Sequence, residues 1–114
     1  MSQGFVRLRY DGEESELYEA EVVTWDNSDG VYEIHFSGVG KGGPFRGSCA
    51  LERVGGGWTY AGRGRWQNHD DDEVYTSAVR VQLRLVGKLL VLEGHWLEQE
   101  EDEAYDLYIE IEGR

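Results

Sequence analysis

The run Gly57-Trp58-Thr59-Tyr60-Ala61-Gly62-Arg63-Gly64-Arg65-Trp66 decides the fold class. Taken at a period of two, Trp58, Tyr60, Gly62, Gly64 and Trp66 fall on one side, and Thr59, Ala61, Arg63 and Arg65 on the other. Side chains alternate across a β-strand, so this is a strand with one face of large rings and glycines and one that tolerates water. Rings need volume, and glycines make room for rings arriving from elsewhere or for a bound molecule. Such a face suits the inside of a small barrel or a tightly packed sandwich.

Working outward, the same period recurs along the chain between turn signals. One proline, sixteen glycines and runs of β-branched and aromatic residues predict an all-β protein, with no window of sustained helical period. Eight strands are predicted, over residues 5–10, 16–25, 31–37, 45–54, 57–66, 74–86, 89–97 and 105–112. Asp11-Gly12 and Asn27-Ser28-Asp29-Gly30 read as hairpin turns. In the second strand Tyr18, Ala20, Val22 and Thr24 are expected to oppose Glu19, Glu21, Val23 and Trp25. The sixth alternates most cleanly, Val79, Val81, Leu83 and Leu85 against Arg80, Gln82 and Arg84. Short connections make sequence neighbours antiparallel neighbours in space. Eight such strands leave two edges unless the sheet closes. An antiparallel up-and-down eight-stranded barrel spanning residues 1–114 as one domain is therefore the expectation, with a two-sheet β-roll or sandwich as the alternative. Arg7 and Arg9 on the first strand would complement Glu110 and Glu112 on the last if the two strands meet.

The totals bound the function. A chain of 114 residues with 39% hydrophobic and 12% aromatic content buries a real core without disulfides or metals. A net charge of −12 disfavours nucleic acid and anionic lipid as partners, and the basic residues are dispersed with no arginine-lysine tract. Cys49 is the single cysteine and reads as a small buried hydrophobe before it reads as a nucleophile. With no basic-then-apolar leader and no apolar run of membrane-spanning length, the expectation is a soluble cytoplasmic protein.

The stretch Leu92-Glu93-Gly94-His95-Trp96-Leu97, followed by a hairpin and Tyr105-Asp106-Leu107-Tyr108-Ile109-Glu110, resembles the Gly-x-Trp strand pairs of calycin-type barrels, the lipocalin and avidin superfamily. Gly64-Arg65-Trp66 repeats the spacing. The resemblance covers about a third of the chain and implies the barrel architecture alone; no binding residue is carried over.

Chemical motifs are sparse. Gly38-Val39-Gly40-Lys41-Gly42-Gly43 lacks the Gly-Lys-Ser/Thr end and the following helix of a phosphate loop. It reads as a hairpin loop, with Gly40, Lys41 and Gly42 as a candidate flap over a barrel mouth. His69-Asp70-Asp71-Asp72-Glu73 lacks the alternation of a calcium loop and reads as a solvated turn. His35, His69 and His95 fall on separate elements without metal spacing, so neither a metal nor a cofactor is predicted.

The inward rings make the stronger case. Tyr18, Tyr32, Phe36, Phe45, Trp58, Tyr60, Trp66 and Tyr105 are predicted to converge, and inward glycines at 47, 62, 64 and 94 leave either a cavity or space for rings from the opposite wall. The leading expectation is non-catalytic binding of a small, largely apolar or aromatic ligand, with Tyr32, Phe36, Trp58, Tyr60 and Trp66 as its wall. The first alternative is an assembly or adaptor domain with a filled core. Its surface would be the apolar outer face of Leu89, Val91 and Leu97, and a homodimer its simplest form. The second is an enzyme working at the barrel mouth on a small substrate.

Overall fold

The computed structural model describes residues 3–11, 15–40, 42–98 and 103–112. They form eight strands: β1 (Gly4–Asp11), β2 (Ser15–Ser28), β3 (Val31–Gly40), β4 (Gly43–Arg53), β5 (Thr59–Asn68), β6 (Tyr75–Val86), β7 (Leu89–Glu98) and β8 (Glu103–Glu112). Each pairs antiparallel with its sequence neighbours, and β8 pairs with β1, giving a closed up-and-down barrel. Closure leaves no unpaired sheet edge. At the seam Val6 faces Ile109 and Leu8 faces Leu107 across the ladder, and all four are buried. The seam register sets Arg7 opposite Tyr108 and Arg9 opposite Asp106, four residues short of the Glu112 and Glu110 that the expected pairing would place there. Outside the seam, the Phe5 and Tyr108 rings stack at 5.6 Å, with the Arg7 guanidinium 5.6 Å and 5.9 Å from their centres.

Alternation sets the core in every strand. Tyr105, Leu107, Ile109 and Ile111 of β8 point inward, as do Ile34 and Phe36 of β3 and Val79, Val81 and Leu83 of β6. Strand β2 departs from its expected facing. A bulge between Val22 and Thr24 inserts Val23 as an extra residue opposite β3, so Thr24 pairs with His35 and Trp25 with Ile34. One inserted residue exchanges the two faces. Trp25 therefore packs on the core, while Thr24 and Val23 are exposed. Leu85 keeps its phase but projects beyond the core at the strand end and is exposed.

The turns define two mouths. One, here the lower mouth, carries the β2–β3, β4–β5 and β6–β7 turns; the upper mouth carries the other four connections. Asp29 and Gly30 both have positive φ, 54° and 81°, as a tight hairpin whose twist matches its strands requires. The glycine-rich segment after residue 37 is mostly strand. Gly38, Val39 and Gly40 pair with Phe45, Pro44 and Gly43. A Cβ on Gly38 would collide with the Phe45 ring, and one on Gly40 would press on Tyr18 at 3.2 Å. These glycines extend the ladder beneath rings, so Gly40 belongs to a paired strand and Gly42 to a turn; of the candidate flap, Lys41 lies outside the described residues.

Candidate functional site

The predicted wall residues do not meet around one space. Tyr32 and Tyr60 are buried at the lower end, with rings edge-on at 5.4 Å and Trp25 stacked on Tyr32 at 6.4 Å. Burial and then Tyr60 raise the Tyr32 phenol above its ordinary pKa. Phe36 and Trp96 occupy the middle, each 2% exposed or less and 6.2 Å apart. Trp66 lies toward the upper end, 6.2 Å from Phe36 and 4.1 Å from Phe45. Trp58 precedes β5 instead of lying on it. It is 57% exposed on the lower rim, with the Arg53 guanidinium 5.7 Å from its ring. Its backbone carbonyl accepts from Leu83 N–H at 2.8 Å, which fixes the loop and turns the ring out of the barrel.

The inward glycines serve packing. A Cβ on Gly64 would overlap the Trp96 ring, and one on Gly47 would overlap Phe36. Gly62 and Gly94 instead let strands press together, because their missing Cβ atoms would strike the Ala50 and Arg80 carbonyl oxygens. Tight curvature of a small closed sheet needs such positions. Gly47 and Gly64 make room for rings from nearby strands: Phe36 is the cross-strand partner of Gly47, and Trp96 reaches Gly64 from two strands away.

The upper mouth holds the most concentrated chemistry. Glu16, an inward position at the start of β2, is half-buried. Tyr18 Oη donates to Glu16 Oε2 at 3.1 Å, and Tyr105 Oη donates to the same oxygen at 3.2 Å. Tyr10 packs on Tyr105 at 5.4 Å, and Tyr18 contacts Phe45 at 5.9 Å and Trp66 at 5.2 Å. Trp66 Nε1 donates to Asn68 Oδ1 at 3.1 Å. A carboxylate thus stands within a collar of tyrosine, phenylalanine and tryptophan rings, with one oxygen fixed by two phenols and no hydrogen bond to Oε1 among the described residues. Four strands from β2, and so on the opposite wall of an eight-stranded ring, Ser77 Oγ is buried without a partner among the described residues.

Sequence reasoning reached Tyr18, Phe45, Trp66 and Tyr105 as inward rings. It missed Glu16 and Tyr10 as members of one site. The signal was present: Glu16 shares the parity of Tyr18 and Ala20, so a charged residue sits on the core face of its strand.

The remaining candidates resolve differently. Val91 faces outward but is 2% exposed within the single chain, between Arg84 and Glu110 across the ladders. Leu89 is partly exposed and Leu97 is 45% exposed, so these two of the three predicted interface residues offer apolar surface. Cys49 is buried, and burial pushes its thiol up to about 12, so it is protonated at neutral pH. In the acidic turn, Asp71 is used by its own loop: Glu73 N–H and Tyr75 Oη both donate to its carboxylate at 3.0 Å. The accepting carboxylate holds the Tyr75 phenol up to about 12.

No family model, no curated protein and no solved structure matches this chain.

Proposed function

We propose that this protein binds, without chemistry, a small molecule with an aromatic or apolar body and an amine at one end, in the tyrosine-lined upper mouth. The observation that carries the reading is Glu16. An inward carboxylate costs desolvation unless it is compensated, and here two phenols compensate one oxygen while the other has no partner among the described residues. Aromatic faces and a carboxylate both favour a cationic head, and the rings stack on an apolar body. The Ser77 hydroxyl on the opposite wall, without a partner among the described residues, is a second polar atom suited to a ligand or a bound water. The arrangement also favours placing the chain among calycin-type barrels. Both Gly-x-Trp strands send their tryptophan inward, with the Trp66 and Trp96 rings 6.5 Å apart.

Tryptophan emission provides the test, in a Trp58→Phe background that removes the exposed reporter. Benzylammonium should quench or shift the remaining signal saturably. Glu16→Gln should weaken its binding at least tenfold, while benzoate should not bind. A response equal for benzylammonium and benzoate, or unchanged by Glu16→Gln, would sink the reading, as would no saturable response to benzylammonium.

A further inference from the structure

The basic residues, scattered in sequence, are gathered by the barrel. Strands β4, β5 and β6 carry Arg46, Arg53, Arg63, Arg65, Arg80 and Arg84 against one carboxylate, Glu52. The neighbouring wall of β7, β8, β1 and β2 presents Glu93, Asp106, Glu110, Glu112, Glu19 and Glu21 outward, with Arg7 and Arg9 as its arginines. Positions distant in sequence become lateral neighbours because the three strands are consecutive in the sheet.

The register arranges four of these arginines in a diagonal row. Arg46 lies opposite Gln67, next to Arg65 on the same face of β5; Arg63 follows, and Arg80 lies opposite Ala61 beyond it. Between them the outer face is small. Arg65 is flanked by Ser48 and Thr76, and Arg63 by Ala50 and Ala78. Among the described residues Arg63, Arg65 and Arg80 have no carboxylate partner, and Arg46 donates only to the Gln67 amide oxygen, at 3.3 Å and 2.9 Å. In a chain with 23 acidic and 11 basic residues, an arginine has carboxylates in excess to pair with. Like charges gathered on one face repel one another, and the register keeps them off directly opposite positions. A row of unpaired guanidiniums over a floor of alanine, serine and threonine is therefore a surface arranged for an anion supplied from outside.

The occupant is slim and extended. The rest of the barrel from β7 through β2 is acidic and the chain carries a net charge of −12, which repels a broad polyanion such as duplex DNA. The row itself carries no aromatic side chain on which unpaired bases would stack. Alternate side chains of an extended peptide are about 7 Å apart, the same spacing that separates Arg63 from Arg65 on their strand. Guanidinium pairs carboxylate bidentately, which adds geometric selection. A depression of about 430 Å³ at one end of the row, lined by Arg46, Ser48 and Arg65 and also by the exposed Val23 and Val74, would receive a terminal acidic side chain through its guanidiniums and the carbon stem of that side chain through its valines. We propose that the β4–β6 face docks an extended acidic segment of a partner protein. This surface is distinct from the upper mouth and does not depend on the ligand reading.

The test uses the whole chain at low ionic strength, with a fluorescent twelve-residue peptide of alternating glutamate and serine as the probe. Saturable binding that weakens steeply with salt is expected. The double variant Arg63→Ala/Arg65→Ala, with an unchanged melting temperature, should lose at least tenfold in affinity, while Lys88→Ala at the β6–β7 turn should bind as the parent does. Absence of binding, or equal binding by the double variant, would overturn the proposal. So would tighter binding of a twelve-residue oligothymidylate, which would assign the row to nucleic acid. Sedimentation showing that the arginines instead mediate self-association, lost in the same variant, would overturn it in favour of a second copy of the chain. If Arg63→Ala/Arg65→Ala is unstable, Arg63→Gln and Arg65→Gln singly should each weaken the peptide severalfold.

Discussion

The two mouths of the barrel are built from the same kind of side chain and treat polarity in opposite ways. At the lower mouth Trp25, Tyr32 and Tyr60 pack ring on ring, and Val54, Trp58, Leu85 and Val86 stand exposed around them with no inward carboxylate among the described residues. At the upper mouth the phenol tips of Tyr18 and Tyr105 turn onto one inward carboxylate. Rings alone do not make a binding site. What distinguishes the upper mouth is a polar group placed where it needs a partner, and the lower mouth serves as the internal control for every claim about the upper one.

The sharpest way to break the comparison is to remove what both mouths share. Trp96 is 1% exposed in the middle of the barrel, against Phe36, Trp66 and the space left by Gly64. Trp96→Ala should cost about 3–5 kcal/mol, read as a lowered denaturant midpoint, because a large cavity opens in a close-packed core. A loss below about 1 kcal/mol would mean that the two ends are stabilised independently.

Alkali tests the same core through Cys49. The thiol is held up to about 12 in the fold against an ordinary value of 9.0, so between those values the folded state binds more protons than the unfolded chain. Stability is therefore present in full below pH 9 and falls as pH rises, by roughly 1 kcal/mol per unit. Cys49→Ala should flatten that slope in alkaline denaturation curves. Tyrosines would continue to contribute, since burial raises Tyr32 and Tyr108 as well.

A paired substitution asks whether the mouths differ as described. Tyr105→Phe removes a phenol that donates to a carboxylate and should cost about 1.5 kcal/mol, at the low end for charged hydrogen bonds because Glu16 is only half-buried. Tyr60→Phe at the lower mouth removes a phenol for which no such partner is present among the described residues and should lie within about 0.5 kcal/mol of the parent. Equal effects would erase the distinction.

How much of this was legible beforehand depends on the period. Strands such as β6 and β8 alternate without interruption, so their inward residues follow from parity alone, and short connections then dictate the up-and-down order. Parity fails where the backbone inserts a residue: the bulge at Val23 brings Trp25 inward, and nothing in the side chains of β2 announces it. Composition misleads where glycine serves a neighbour's ring, as at Gly38 and Gly40, since the ring belongs to a residue elsewhere in the chain. The arginine row is a property of register, which brings Arg46 near Arg65 and Arg63 near Arg80, nineteen and seventeen positions apart, so only its Arg63–Arg65 step was local in the sequence. Glu16 was readable from parity but was outweighed by the many acidic residues around it.

The smallest effect separates a ligand site from a merely filled barrel. Ser77 Oγ is buried with no partner among the described residues, on a strand position between Gly64 and Glu98. An unpaired buried hydroxyl costs about 1–3 kcal/mol of desolvation, and alanine removes the group without opening a large void. In the ligand-free protein Ser77→Ala should therefore leave stability unchanged or raise it by up to about 1 kcal/mol. If that hydroxyl contacts what binds at the upper mouth, the same variant should also reduce the stabilisation that saturating benzylammonium confers, since a ligand raises stability in proportion to the logarithm of its affinity. A gain in the free protein with no change in the ligand increment would confine Ser77 to the core and leave Glu16 as the sole polar anchor of the site.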